Sequence, residues 1–528
     1  MGTQLALVSC PASPFCVDSL FPDADWALLA GQLQAAGVDA RVFDYGTPAS
    51  LERLYPPELR ERAARLLNGE NGGTGRDWMS RMGGSSRVLG QRLQVLAADV
   101  ARDLAAQGPP RVVCLRMSAQ EGALMCRYIA RAVKRSAPGA VALLDASNAA
   151  AVRPGAHDEV FDGVLGGDAH AALLAVCRHP ANPDRWPASV RLPGAGGAAE
   201  THKPASLVLS SGECYEAALY PAAERGTKFN VFTIGTLRRP GNPWQSAGRV
   251  LRNVETLHRA HGVRAFCFGA GAVNPEAINS LAVILRDWGL PLSTAWRLRP
   301  EHMTAGALLR LAQSGAVALG WSVPTGSQRL AEDVYGRTYS VSAAEKLLRR
   351  ARDLDMLSSV HLRFPHAADD AHTRAESMRL VRRSGALGAV IHSVITEEGG
   401  LPPPMRPLAA ETLWRRYRIL SGEGWQGQWS AAVRRLFDPH HPGDAAHLLA
   451  EISREGHAPY MCERLMLTAH LAGFRDSPRD FLRGLWRALL TGSTDDLTAL
   501  VEQVNKRARG PIAMAAPSIA ALRTAVGN

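Results

Sequence analysis

Eight cysteines stand at positions 10, 16, 114, 126, 177, 214, 267 and 462. No two of them form a CxxC pair, and no CxxxCxxC triplet occurs. Cys114 (in RVVCL) and Cys267 (in AFCFG) sit in apolar runs, where a buried reduced thiol is the usual role. A chain this long and this poor in cysteine does not carry a disulfide framework, so a reducing, cytoplasmic compartment is expected. Cys214 lies between Glu213 and Glu216, which raise a thiol pKa, so it reads as inert and not as a nucleophile.

Histidines supply the other candidate ligands. His361, His366, His372 and His392 fall near expected strand ends, with Asp369, Asp370, Glu397 and Glu398 close in sequence. That set permits a His/carboxylate metal site, but its spacing matches no metal template. Asp438, His440, His441, Asp444 and His447 look similar, and a proline-rich turn capped by Asp444 explains them more simply. Gly269-Ala270-Gly271 is too short for a dinucleotide fingerprint. Trp414, Trp425 and Trp429 could line a groove or pack between helices.

The elements that must position these groups alternate. LALVS (5–9), DARVF (39–43), RVVCL (111–115), AVALL (140–144) and GVL (163–165) read as strands, with helices at 26–36, 91–106, 121–136 and 169–177. Short apolar strands separated by amphipathic helices imply βαβ units and a parallel sheet, whose ligands sit at the carboxyl ends of the strands. Residues 180–205 are rich in proline and glycine and read as a linker. Further strands follow at 207–210, 228–234, 264–269, 292–296, 316–321, 358–364 and 388–395, with helices between them, which suggests a full or partial (β/α) barrel. After Pro402-Pro403-Pro404 the strand signals stop and the rest reads as helices.

The fold class is therefore α/β: a Rossmann-like parallel sheet (1–190), a linker (191–205), a βα barrel (206–402) and a helical C-terminal domain (403–528). The 528 residues are 46% hydrophobic and 21% charged, and carry a formal charge of +11. The excess is mostly arginine spread along helices, as at Arg349, Arg350 and Arg352, with no basic tail. It reads as solvated helix faces, and no nucleic-acid partner is expected. No apolar run is long enough for a transmembrane helix, and the first residues lack the pattern of a cleaved secretory signal.

The order of sheet, linker, barrel and helical tail resembles the cobalamin-binding-domain radical SAM enzymes over roughly residues 1–400. The resemblance is carried by Ser327-Gln328-Arg329-Leu330 through Tyr335-Gly336-Arg337-Thr338 and its following helix. It is also carried by the strand, NPE-capped helix and strand over 261–296. In the first sheet it rests on residues 112–152 and on FDGVLGGDAHAALLAV (161–176). It implies a corrinoid pocket lined by Ser9, Ser118, Asp145, Ala146, Ser147, Gly167 and Asp168. Where the family has a double glycine this chain has Asp145-Ala146, and no D-x-H-x-x-G segment is present to supply a histidine ligand to cobalt.

The resemblance also says what is missing. The family holds a [4Fe–4S] cluster with three thiolates spaced CxxxCxxC after the first barrel strand. At those positions stand Cys214, Ala218 and Pro221. Acidic residues expected after AFCFG are replaced by Gly269-Ala270-Gly271-Ala272, and Pro324 stands where a glutamate precedes GSQR. No cluster and no SAM site are therefore expected, while cobalamin is. The implied role is a pseudoenzyme or binding subunit in specialised-metabolite or peptide modification. Its partner would be an active radical SAM enzyme or another biosynthetic protein, and its ligand a small molecule or peptide. The alternative is a cobalamin-dependent enzyme with non-radical chemistry such as methyl transfer.

Overall fold

A computed structural model describes residues 4–9, 17–54, 87–116, 122–145, 160–165, 169–192, 227–234, 247–269, 277–363, 368, 370–392, 458–459, 461–491 and 493–510. They build two sheets. The first runs β2-β1-β3-β4-β5-β6, from β1 (Leu5–Ser9), β2 (Ala40–Asp44), β3 (Val112–Arg116), β4 (Val141–Asp145), β5 (Gly163–Leu165) and β6 (Val190–Arg191). β1 to β5 are parallel, and β6 pairs antiparallel with β5. The stretch read as a linker thus begins by returning to the sheet edge.

Alternation along the strands supplies two cores. Ala6, Val8, Val113, Leu115, Ala142 and Leu144 pack with α3 (Arg87–Ala106) and α4 (Gly122–Ser136). Leu5, Leu7, Val112, Cys114, Val141 and Leu143 pack with α1 (Ala24–Ala35) and α5 (Ala169–Arg178). Both faces are covered, which is why these strands read as near-continuous apolar runs. The Asp23 carboxylate caps α1 by accepting the Trp26 amide at 3.2 Å. A seven-residue helix, α2 (Pro48–Leu54), follows β2.

The second sheet is parallel throughout, in the order β13-β12-β11-β10-β9-β8-β7. Its strands are β7 (Val231–Ile234), β8 (Ala265–Phe268), β9 (Ser293–Leu298), β10 (Ala316–Trp321), β11 (Leu357–Arg363), β12 (Gly388–His392) and β13 (Ala458–Pro459). The strand expected at 207–210 lies outside the described residues. β13 comes from the region read as wholly helical; two residues with a proline give no periodicity to read.

Large side chains mark the outer face. Phe232, Phe266, Phe268, Trp296, Leu319, Trp321, Val360 and Leu362 pack against α6 (Ala247–His261), α7 (Ile278–Asp287), α8 (Ala305–Gln313), α10 (Val341–Asp353) and α11 (Ala371–Ser384). Small ones mark the inner face of β8, β9 and β10: Ala265, Cys267, Ala295 and Ala318, with Val231 and Leu357 on the flanking strands. They leave room for α12 (Glu463–Leu471), α13 (Pro478–Thr491) and α14 (Thr494–Ala508), whose Met466, Leu467, Phe481, Leu485 and Val501 complete that core. The C-terminal helices are therefore packed on the inside of the barrel sheet.

The GSQR segment is a staple in this fold. Gln328 opens α9 (Gln328–Asp333); its Oε1 accepts the Val341 amide at 2.7 Å, tying α9 to the start of α10. A side chain at Gly326 would collide with the backbone of Glu376 and Ser377, so α11 approaches there only because the residue is glycine.

Candidate functional site

The order 2-1-3-4-5 reverses between β1 and β3, and ligands of such sheets bind outside the carboxyl ends of the strands at that switch point. Ser9 ends β1 there, in register with Asp44 of β2 and Arg116 of β3, and Arg116 is in register with Asp145 of β4. Ser9 is half-buried, while Asp44, Arg116 and Asp145 are buried.

The charged three are engaged with protein. Arg116 Nη1 lies 2.5 Å from both carboxylate oxygens of Asp23, and its Nε lies 3.5 Å from Asp145 Oδ2. Asp145 Oδ2 also accepts from the Trp26 indole at 3.3 Å, and the Arg116 guanidinium stacks 5.4 Å from the Trp26 ring centroid. Asp44 Oδ2 lies 2.6 Å from Lys228 Nζ, with both side chains about 1% exposed. Burial pushes the Asp44 carboxyl up, and the Lys228 ammonium opposes that shift.

Of the corrinoid candidates, the structure thus brings Ser9 and Asp145 to one edge. Ser118, Ala146, Ser147, Gly167 and Asp168 lie outside the described residues. Asp23, Asp44 and Arg116 were missed by sequence reasoning. The signal was present: ARVFD, VVCLR and VALLD each close an apolar strand with an ionisable residue.

A second polar cluster lies on the inner face of the barrel sheet, toward its carboxyl end. Arg297 (β9), Gly320 (β10) and Ser359 (β11) are register partners across three strands. Glu463, the first residue of α12, reaches onto Gly320. Its Oε1 lies 2.7 Å from Arg297 Nη2 and its Oε2 2.9 Å from His361 Nε2. The Glu463 and His361 side chains are each 4% exposed. A Cβ at Gly320 would run into both the Glu463 carboxylate and the His361 ring.

Burial alone would raise the Glu463 pKa. The Arg297 and His361 contacts overcome it and hold the carboxyl far below its ordinary range. Burial and the Arg297 charge lower His361, against the pull of Glu463. At neutral pH the cluster is then a cation, an anion and a neutral imidazole. A carboxylate only accepts, so His361 Nε2 carries the proton. Nearby thiols stay protonated: burial pushes Cys267 and Cys462 up.

Four members of the set grouped by sequence, His361, His372, His392 and Asp370, fall among the described residues. His361 is enclosed by the barrel, whereas His372 is exposed in the first turn of α11, 3.5 Å from Glu376. Asp370 caps the same helix through Thr373. His392 ends β12 in register with Arg363. His366, Asp369, Glu397 and Glu398 lie outside the described residues, as do the 438–447 segment and Trp414, Trp425 and Trp429. Among the described residues no three His, Cys, Asp or Glu side chains are grouped to hold a metal. Cys214, Ala218 and Pro221 also lie outside. No helix of the described residues is long and apolar enough to cross a membrane.

No protein-family model matches this sequence, and no curated protein matches it. Solved structures do. The chain is similar to radical S-adenosylmethionine methyltransferase TsrM from Kitasatospora setae. One structure of that enzyme has tryptophan substrate and a SAM analogue (aza-SAM) bound. It superposes with a TM-score of 0.50 at 14% identity, covering 92% of this chain and 99% of that one. Another, with cobalamin and a [4Fe-4S] cluster bound, has a TM-score of 0.50 at 14% identity over 95% and 100%. The cobalamin-dependent S-adenosylmethionine radical enzyme OxsB, with aqua-cobalamin and S-adenosylmethionine bound, gives 0.48 at 11% identity, covering 86% of this chain and 62% of that one.

Proposed function

We propose that this chain keeps the fold it shares with the radical S-adenosylmethionine methyltransferase TsrM without its own [4Fe–4S] and SAM site. It would act as a pseudoenzyme or binding subunit in the modification of a specialised metabolite or peptide, beside an active radical SAM enzyme. One observation carries the reading: at the three cluster positions stand Cys214, Ala218 and Pro221, and no CxxxCxxC occurs elsewhere in the sequence. A methyl group and a pyrrolidine ring cannot ligate iron, and one thiolate does not hold a cubane. The donor set does not fit the cluster.

The residues at the switch point do fit a corrinoid. Such a ring is flat, neutral over most of its surface and rimmed by amides, so it needs an uncharged floor and hydrogen-bonding loops. Arg116, Asp23 and Asp145 satisfy one another beneath the edge, and Ser9 offers a half-buried hydroxyl there. Ser9 would meet the ring, and the resemblance assigns Ser118, Ala146, Ser147, Gly167 and Asp168 to the same pocket. Bound there, a corrinoid supplies a methyl carrier, which favours non-radical methyl transfer as the second reading.

Iron and sulfide analysis after anaerobic reconstitution tests the first reading. Values near zero are expected, and several irons per chain would overturn it. Reconstitution with hydroxocobalamin tests the second: visible bands that survive desalting are expected, and a colourless protein counts against it.

A further inference from the structure

We infer that the amino end of the barrel carries a docking surface for an acidic partner protein, formed by the last turns of α10 and α11 around Leu387. Each helix precedes a strand of the sheet, so both C-terminal turns lie at the end opposite the strand ends discussed above. Arg349 Nε donates to the Arg383 carbonyl at 2.8 Å, which locks the two helix ends side by side. Arg352 folds over Gly385, the left-handed residue that ends α11. Two residues on, Leu387 is 37% exposed, one of four large exposed apolar side chains among the described residues.

Arg352 and Arg383 lie beside it through Gly385 and the end of α11, and the exposed side chains of the last two turns of both helices include Lys346, Arg349 and Arg350 from α10 and Arg379 and Arg382 from α11. Helix dipoles account for cations in the last turns, but not for Lys346, Arg349 and Arg379 further back, nor for an apolar residue in their midst. Among the neighbouring acids, Glu345 is paired to Arg349, Asp355 to Arg475, and Asp353 is exposed. Arginine is enriched in protein interfaces relative to the rest of the surface.

Charge complementarity selects the occupant. A second copy of this chain is also strongly basic, at +11, and would be repelled. Neither helix contains a Phe, Tyr or Trp ring to stack on a base, which disfavours single-stranded nucleic acid. An acidic protein surface with a small apolar recess matches both features. The surface does not depend on whether the barrel catalyses, so its failure and that of the reading above are separable.

The test uses the full chain with a photo-crosslinking residue at Leu387, and at Leu309 as the control, which is 40% exposed on α8. Protein captured in the producing cells is identified, purified and titrated against wild type and the Arg350→Glu/Arg383→Glu variant. Expected are an adduct at Leu387 but not Leu309, an acidic partner, and binding weakened at least about tenfold by charge reversal and by raised salt. If that variant loses its fold, Lys346→Glu/Arg379→Glu takes its place. No adduct at Leu387, equal capture at both positions, or an affinity indifferent to charge reversal overturns the proposal. So does charge-dependent binding of duplex DNA or phosphatidylserine vesicles in place of protein.

Discussion

Lys228 and Asp44 form a buried ion pair at 2.6 Å that joins the carboxyl end of β2 to the segment entering β7. Lys228 Nζ also donates to the carbonyls of Ser19 at 2.5 Å and Phe21 at 3.3 Å. From the other side Asn505 of α14 accepts the Asn230 amide at 2.8 Å and donates to the Lys228 carbonyl at 2.8 Å. The first sheet, the barrel and the C-terminal helices are therefore fastened at one short stretch of chain.

Breaking this pair from one side leaves a buried charge alone. Lys228→Met should cost about 3–5 kcal/mol in urea unfolding. The Lys228→Met/Asp44→Leu double variant should recover part of that loss; strict additivity would show that the pair is not the source.

The Arg297–Glu463–His361 cluster makes stability fall with acid. Glu463 and His361 both have depressed pKa values in the fold, so each contributes stability that is full above its unfolded value. Those values are about 6.5 for histidine and about 4.3 for glutamate. Stability should decline as pH drops below the first, and more steeply below the second. Glu463→Gln should flatten the lower part of a Tm-against-pH profile; an unchanged slope would count against the assignment.

Gly320 is the seat of the Glu463 carboxylate. Gly320→Ala forces both Glu463 and His361 to move and should destabilise by roughly 1–3 kcal/mol in chemical denaturation. Gly269→Ala, where no atom of the described residues approaches the added methyl, is the matched control and should change stability little.

Restoring the thiols tests the cluster argument by gain. Ala218→Cys/Pro221→Cys, with Cys214 retained, recreates the CxxxCxxC spacing. Iron bound after anaerobic reconstitution should rise above the wild-type level. Iron uptake by the wild type equal to the variant's would mean that other ligands serve.

At the switch point, Ser9→Leu places a branched side chain where the ring would rest. It should abolish retention of corrinoid bands after desalting at unchanged circular dichroism, if the half-buried hydroxyl marks the floor. Full retention would move the floor elsewhere.

The strands were legible because parallel strands covered on both faces must be apolar along their length; LALVS, GVL and AVALGW begin and end where the sequence placed them. That Ala218 and Pro221 cannot ligate iron was legible in the same way, since neither side chain carries a donor atom. What the sequence could not carry is any pairing between distant residues. Glu463 reads locally as an acid suited to a helix start, yet it meets His361 across 102 positions. That meeting exists only because small side chains line the inner face of the sheet and a glycine opens it at residue 320. Lys228 likewise reads as a charge at a strand start, and only the packing of three parts of the chain around it makes it a buried cation with a carboxylate at hand.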